Sequence, residues 1–428
     1  MDQQYAESEQ KIINQNVEFK HKIGIIICWY GAWPWYFKFF LHSVKFNPSI
    51  DFLIVTDETI LNDLPVNVKL VKKSLEDIRK LATEKMGFEV SLRSAYKLCD
   101  FKPAYGEIFN SYLKEYDFWG HGDIDIIFGS IRNFIDEEVL ENHDVISVHK
   151  DYIHGCFALY KNKQNINTLY RSSQDFKKVF STDHSYAFDE CNGLNYFLSI
   201  GKSLQDIPSE IESMTHIVKK KHESKEINAF FNFCLLEPLI GDIRWNNGIL
   251  TYNNQIETIA YHLYHFKKEP YLTIPSKEKV IKNYFYIGKS GIYIYPNQYS
   301  LLALSQRLKG SFKKYNFLVS FHMNWLKRCK KATPIMQKSD VKCLDKIIGR
   351  YKNFNTEIII LEKDNSIYVK ANDEVEKLIY EEDSLKFLIK EQYITVEFGK
   401  IVDNKECFIT TDGKKIRHMY YKQFDVTS

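Results

Sequence analysis

No C-x-x-C pair occurs among the eight cysteines, at 28, 99, 156, 191, 234, 329, 343 and 407. Thiols scattered in this way read as free cysteines of a reducing compartment and argue against a disulfide framework or a structural zinc site. No apolar run is long and clean enough to span a bilayer. The best stretch, 23–41, is interrupted by Pro34, Lys38 and two glycines, and reads as a strand, a loop and a helix. Residues 1–22 are polar and charged, unlike a secretory signal, so a cytoplasmic location is expected. No internal repeat or low-complexity tract is present, which excludes a solenoid. Between Lys279 and Ser339 there is no Asp or Glu, while twelve Lys and Arg stand there. The rest of the chain holds 46 basic against 55 acidic residues, so a net charge of only +3 conceals a basic segment on an acidic body. Such asymmetry points to an anionic partner.

What is present is apolar and aromatic. The 428 residues are 44% hydrophobic and include 28 Tyr and 30 Phe, enough for a substantial core and for two or three domains. Lys22–Trp29 and Asp51–Asp57 read as strands flanking a helix over Trp35–Lys45, and Val66–Val71 as a third strand. This order implies an α/β fold with a parallel sheet. Helices are expected over Ser74–Lys85, Ser91–Asp100, Ala104–Glu115 and Thr168–Phe180, with Pro103 as a break. Short strands are expected over His143–Val148 and Cys156–Tyr160. The basic stretch 299–331 reads as helical. Thr356–Leu361, Ile367–Lys370, Tyr393–Phe398, Cys407–Thr410 and Ile416–Tyr420 read as strands of a small antiparallel appendage. The expected organisation is a polar leader over 1–20, a catalytic α/β domain over 21–275, a basic aromatic helical segment over 276–339, and a small α+β domain over 340–428.

The motif richest in chemistry is Trp119-Gly120-His121-Gly122-Asp123-Ile124-Asp125-Ile126-Ile127-Phe128-Gly129. On an extended segment, residues two apart point the same way, so Asp123 and Asp125 would aim at one point. Two such anions repel unless a cation sits between them, and Mn²⁺ or Mg²⁺ prefers oxygen ligands while leaving room for phosphate. A solvated surface turn is the bland alternative. The apolar flanks Tyr116, Phe118 and Trp119 before, and Ile126 to Phe128 after, argue against it.

Upstream, a first strand ends in Cys28-Trp29-Tyr30-Gly31 and a second in Val55-Thr56-Asp57. Then come Lys97, Asp100, Lys102 and Pro103, followed by Trp119, Gly120, Gly122, Asp123, Asp125 and Gly129. In this order they resemble the GT-A class of nucleotide-sugar glycosyltransferases. The likeness is closer to bacterial capsule and surface-polysaccharide transferases, whose core reads K-x-x-D-x-K-P and then W-G-x-G-D-x-D-x-x-x-G. The resemblance covers roughly 20–270 and leaves the last 150 or so residues unexplained. It implies a GT-A-like, Rossmann-like mixed sheet flanked by helices, with a C-terminal helical and antiparallel β appendage.

The resemblance also implies roles. Asp123 and Asp125 would hold Mn²⁺ or Mg²⁺ against the donor's diphosphate, whose leaving charge the metal stabilises. The nucleotide would lie over the carboxyl ends of the first strands. There Trp29 or Tyr30 can stack on the base, and Asp57 can accept its imide N–H. A packed strand end and a turn cap are the structural alternatives. Lys97 and Lys102 would contact phosphate or sugar. Asp100 lies three residues after Lys97, so a plain ion pair is the competing reading. His154 and Gly155 would lie on the acceptor side, Gly155 allowing close approach of a sugar. Asp189 or Glu190 would deprotonate the acceptor hydroxyl in an inverting transfer; a helix-start acidic pair is the alternative. His265, with His262 as second choice, would complete the metal site.

The expected activity is transfer of a hexose from a nucleotide sugar, a UDP-sugar above others, to a glycan or lipid-linked glycan of a bacterial surface. Two other functions share the residues: a nucleotidyl or phosphosugar transferase, and a non-catalytic glycan-binding assembly protein. For the basic stretch, peripheral binding to the anionic inner face of the plasma membrane competes with docking on the catalytic domain. No nucleic-acid motif accompanies it, and no nucleic-acid partner is expected.

Overall fold

The computed structural model describes residues 19–59, 64–199, 201–232, 235–237, 243–269, 272–276, 281, 283–294, 308–317, 319–320 and 348–352, and seven strands beyond residue 356. The chain divides into two units, 1–313 and 314–428.

The first unit contains β1 (Ile23–Cys28), β2 (Ile50–Thr56), β3 (Val68–Lys72), β4 (Phe118–Gly122), β5 (Ile126–Phe128), β6 (Val145–Ser147), β7 (Phe157–Lys161), β8 (Ala229–Phe231), β9 (Leu235–Leu236), β10 (Ile243–Asn246), β11 (Ile249–Tyr252), β12 (Ile256–Glu257), β13 (Ala260–His262), β14 (Tyr284–Gly288) and β15 (Gly291–Ile294). A seven-stranded sheet runs β3-β2-β1-β4-β7-β6-β8. Its first four strands are parallel, as the strand–helix–strand order implies. β7 is antiparallel to both neighbours, and β6 pairs parallel with β8. A three-stranded sheet runs β5-β13-β9 and a five-stranded one β12-β11-β10-β14-β15. The architecture is thus mixed α/β: a large mixed sheet with helices, joined by small, largely antiparallel sheets.

Local sequence explains the elements. β1 reads Ile-Gly-Ile-Ile-Ile-Cys and is buried from Ile23 to Ile27, the unbroken apolar run of a strand covered on both faces. The helix α1 (Phe37–Val44) buries Phe37, Phe39, Phe40 and Val44. Polar groups at its end tie down the segment around β5. Phe128 N–H donates to Ser43 Oγ at 3.1 Å, and Asn47 donates to Gly129 O and accepts from Ile131 N–H, both at 2.9 Å. The helix α2 (Leu75–Met86) starts at a Ser74–Asp77 capping box and ends at Gly87, whose φ of 80° suits glycine.

The W-G-x-G motif proves to be packing. Trp119 is fully buried, stacks on Tyr160 at 4.5 Å between ring centroids, and donates from Nε1 to Asn167 at 2.7 Å. A Cβ on Gly120 would lie 2.7 Å from Ala158 O, and one on Gly122 only 3.3 Å from Ile25.

Two helical stretches differ from expectation. Residues 91–115 form a chain of short turns: 3-10 at Ala95–Lys97, α3 (Leu98–Phe101), 3-10 at Lys102–Ala104, then α4 (Tyr105–Ile108). Pro103 does not break this path, because it sits in the first turn of its 3-10 segment, where its missing N–H is not needed. Thr168–Phe180 splits into a 3-10 turn at Leu169–Ser172 and a short helix at Phe176–Ser181. Between them, the Ser173 hydroxyl donates to Glu212 O and accepts from Asp175 N–H.

Residues 308–317 are helical, and most of the basic stretch 299–331 falls outside the described residues. In the second unit, β16 (Gly349–Lys352), β17 (Glu357–Lys363), β18 (Ser366–Ala371), β19 (Glu374–Glu381), β20 (Lys386–Ile389), β21 (Ile394–Val402), β22 (Lys405–Thr411) and β23 (Ile416–Lys422) form a closed barrel. Each strand pairs antiparallel with the next, and β23 returns to β16. Where the sequence suggested α+β, the described residues from 349 onward are strands. The polar leader lies outside the described residues up to 18. Among the described residues, no helix is long and apolar enough to cross a membrane.

Candidate active site

Asp123-Ile124-Asp125 is not extended. It is the turn that carries the chain from β4 to β5, with Ile124 buried beneath it. Two backbone bonds hold the turn: Asp123 N–H donates to Cys156 O at 3.1 Å, and Leu263 N–H donates to Asp125 O at 2.8 Å. The second follows from register, since His262 pairs with Ile126 across β13 and β5. The carboxylates of Asp123 and Asp125 still converge, and with a nitrogen of His262 they lie within 4.8 Å of one another. Two carboxylates and an imidazole suit Mn²⁺, and the carboxylate oxygens alone suit Mg²⁺.

Asp125 is 6% exposed. Its Oδ2 lies 3.4 Å from His262 Nε2 and 2.5 Å from Lys267 Nζ. Burial opposes its ionisation, but these two cations hold its carboxyl well below the usual range. On the far side of the His262 ring, Nδ1 bonds Glu237 Oε1 at 2.8 Å. His265, the first choice from sequence, lines the same cavity but is exposed and stands outside the metal-competent group. Strand alternation explains this. Tyr261 turns into the core and His262 toward Asp125, whereas His265 lies beyond the strand.

Across the turn, Lys102 Nζ is 2.8 Å from Asp123 Oδ1, 3.8 Å from Asp189 Oδ2, and donates to Gly155 O at 2.7 Å. Burial pulls this ammonium pKa down, yet the carboxylates around it hold it well above its ordinary value. Asp189 is buried too. Burial, reinforced by Glu190, pushes its carboxyl pKa well up against the opposing pull of Lys102. Glu190 Oε1 accepts the Gly155 N–H at 2.9 Å. His154 is buried beside Cys156, Glu190 and Glu237; burial lowers its pKa, but these neighbours carry it up to about 9.

Gly155 allows this crowding. A Cβ there would overlap the Asp189 carboxylate and lie 2.8 Å from Glu190 Oε1. Gly155→Ala is therefore expected to cost about 1–3 kcal/mol of stability and to displace both carboxylates. Urea denaturation checks this, and an unchanged midpoint would show that the loop absorbs the methyl.

These side chains line one cavity of about 650 Å³, at the carboxyl ends of β1 and β4. Trp29 and Tyr30 form part of its wall. Both are anchored: Trp29 Nε1 donates to Gly31 O at 2.8 Å, and the Tyr30 hydroxyl to Lys73 O at 3.1 Å. Asp57 is exposed at the end of β2 and is not part of the lining.

Lys97 and Asp100 do not reach the cavity, which corrects the donor role implied for them. They form a buried ion pair at 2.8 Å, with side chains 1% and 0% exposed. Lys97 also donates to Val179 O and His184 O. Asp100 accepts the N–H groups of Tyr186 and Phe188 at 3.0 and 2.8 Å. Between those residues, Ala187 sits at φ 49°, a left-handed conformation costly for alanine. The pair thus clamps a strained turn just before Asp189 and Glu190.

Sequence reasoning missed Glu237 and Lys267 as site residues. Lys267 had a signal, standing two residues after His265; Glu237 had none. Residues 25–300 match a family described as a Family of unknown function (DUF6625). No curated protein matches the chain.

Proposed function

The chain belongs to this family, and from the geometry of its cavity we propose that it is a metal-dependent glycosyltransferase. It moves a hexose from a UDP-sugar to a glycan or lipid-linked glycan of a bacterial surface, such as capsule or O-antigen. The observation that carries this reading is the convergence of Asp123, Asp125 and His262 on the wall that also holds Trp29 and Tyr30. Five carboxylates line the cavity (Asp123, Asp125, Asp189, Glu190 and Glu237), together with Lys102, Lys267 and the imidazoles of His154 and His262. When bound, Mn²⁺ or Mg²⁺ would stabilise the charge that develops on the leaving diphosphate. Trp29 or Tyr30 offers a face to the base, and Lys102 keeps Asp123 in place. The basic, acid-free stretch from 279 to 339 suits a peripheral position at an anionic bilayer.

For an inverting transfer, Asp189 is the favoured base, because Glu190 is occupied by the Gly155 N–H. A raised carboxyl pKa also brings its basicity toward neutral pH. As pH falls through that pKa, Asp189 takes up a proton and the base is lost. The kcat/KM profile is therefore expected to show an acid limb above the ordinary aspartate value of about 3.9. Asp189→Asn should remove most activity together with the limb. A wild-type profile with no such limb would exclude Asp189.

Calorimetric titration of the purified protein with UDP, with and without Mn²⁺, tests the central reading. Manganese-dependent binding supports it; no binding of UDP, GDP, CMP or dTDP with metal sinks it. Release of UDP rather than UMP from the donor separates sugar transfer from transfer of a phosphosugar.

A further inference from the structure

A second set of donors shares the cavity. Cys156 and His154 precede β7 and His262 ends β13, and all three are buried. One ligand atom from each lies within 4.8 Å of the other two. The two imidazole rings stand nearly perpendicular, 5.9 Å apart between centroids. We propose that His154, Cys156 and His262 form a site for a borderline-soft divalent ion of the Zn²⁺ class, and that filling it excludes a hard ion from Asp123 and Asp125.

The donor chemistry argues for the first part. A thiolate and two imidazoles are the ligands that zinc and cobalt take at about 2.0–2.3 Å, whereas Mg²⁺ and Mn²⁺ favour oxygen. A three-ligand set on a cavity wall leaves a position open to solvent or to a small ligand. Glu237 adds the support such sites use. Its Oε1 holds His262 Nδ1 at 2.8 Å.

The second part follows from His262 alone. With Nδ1 held by Glu237, only Nε2 is left to ligate, and Nε2 lies 3.4 Å from Asp125. One nitrogen serves one ion. A zinc ion on Cys156 therefore takes the imidazole that a manganese ion on the carboxylates requires, and the thiolate set acts as an inhibitory site. The exclusion rests on the glycosyltransferase reading; the thiolate site does not.

The test is Co²⁺ titrated into the full chain after chelation, followed by absorption. The expected result is a sulfur-to-cobalt charge-transfer band in the near ultraviolet that saturates at one equivalent and is bleached by Zn²⁺. It should be absent from Cys156→Ser and kept in Asp123→Ala. Loss of the band in Cys156→Ser counts only with an unchanged far-ultraviolet circular dichroism spectrum. No band in the wild type, or a band that persists in Cys156→Ser, overturns the site. In parallel, Zn²⁺ should abolish Mn²⁺-dependent UDP binding in the wild type but not in Cys156→Ser; equal inhibition of both overturns the exclusion. A cobalt band without any Mn²⁺-dependent UDP binding leaves the thiolate site standing and removes the donor reading. UDP binding without the band does the reverse.

Discussion

Asp125→Asn is expected to abolish Mn²⁺-dependent UDP binding and to lower sugar transfer about 10³-fold, from the several kcal/mol that a metal contributes to a charged transition state. Asn keeps the volume of this buried side chain and removes only its charge. That charge is the one point where the metal-competent group, His262 and Lys267 meet. The fold should survive. Lys267 is 26% exposed at its side chain and already lies over the rings of Tyr36 and Tyr264, so its ammonium can turn to water. Alanine is the poorer choice, because it would leave a hole beside two cations. The measurement is calorimetry with UDP and Mn²⁺ on a variant whose thermal unfolding matches wild type. Full manganese-dependent affinity in Asp125→Asn would mean that the metal, if any, is held elsewhere.

The second large effect is on stability. Asp100→Ala is expected to cost about 3–5 kcal/mol, the penalty for removing one partner of a buried ion pair. Lys97 would be left charged with the Val179 and His184 carbonyls and the Tyr186 ring around it, and the N–H groups of Tyr186 and Phe188 would lose their acceptor. The turn at Ala187 would relax, and Asp189 with it. Urea unfolding reads this directly. The donor role implied by the K-x-x-D-x-K-P resemblance makes the opposite forecast, a weaker UDP affinity at unchanged stability. Observing that pattern would overturn the structural assignment of Lys97 and Asp100.

Those two residues show what the sequence could and could not convey. A lysine three positions before an aspartate gives the same text whether the pair faces a ligand or a core. Only the carbonyls of Val179 and His184, some 80 residues on, decide between them. Strands β1 and β2 were readable because each is a local apolar run between polar turns. From the sequence β3 reads as Val66–Val71, where it spans Val68–Lys72. By contrast β4, whose Phe-Trp-Gly-His-Gly is no apolar run, does not read as a strand. The acidic pair was readable too, although as an extended segment rather than the turn it is. His262 was harder. Its place depends on the pairing of β13 with β5, which brings residue 262 opposite 126, and no local pattern encodes that. Glu237 was missed for the same reason: its place beside His262 is set by neighbours distant in sequence. The motif glycines Gly120 and Gly122, which carried the resemblance without an assigned role, serve by their lack of a side chain the packing of β4 against β1 and β7.

The second unit carries a consequence of its own. In an open sheet the outermost strands present unpaired backbone N–H and C=O groups, an invitation for another chain to add a strand. Here β16 is bonded to β23, and the ring of eight has no outermost strand. Among the described residues of this unit, a partner finds no outermost backbone ladder to extend. The barrel itself is met through loops or outward side chains, and two barrels cannot associate edge to edge without first opening a closed ring of hydrogen bonds.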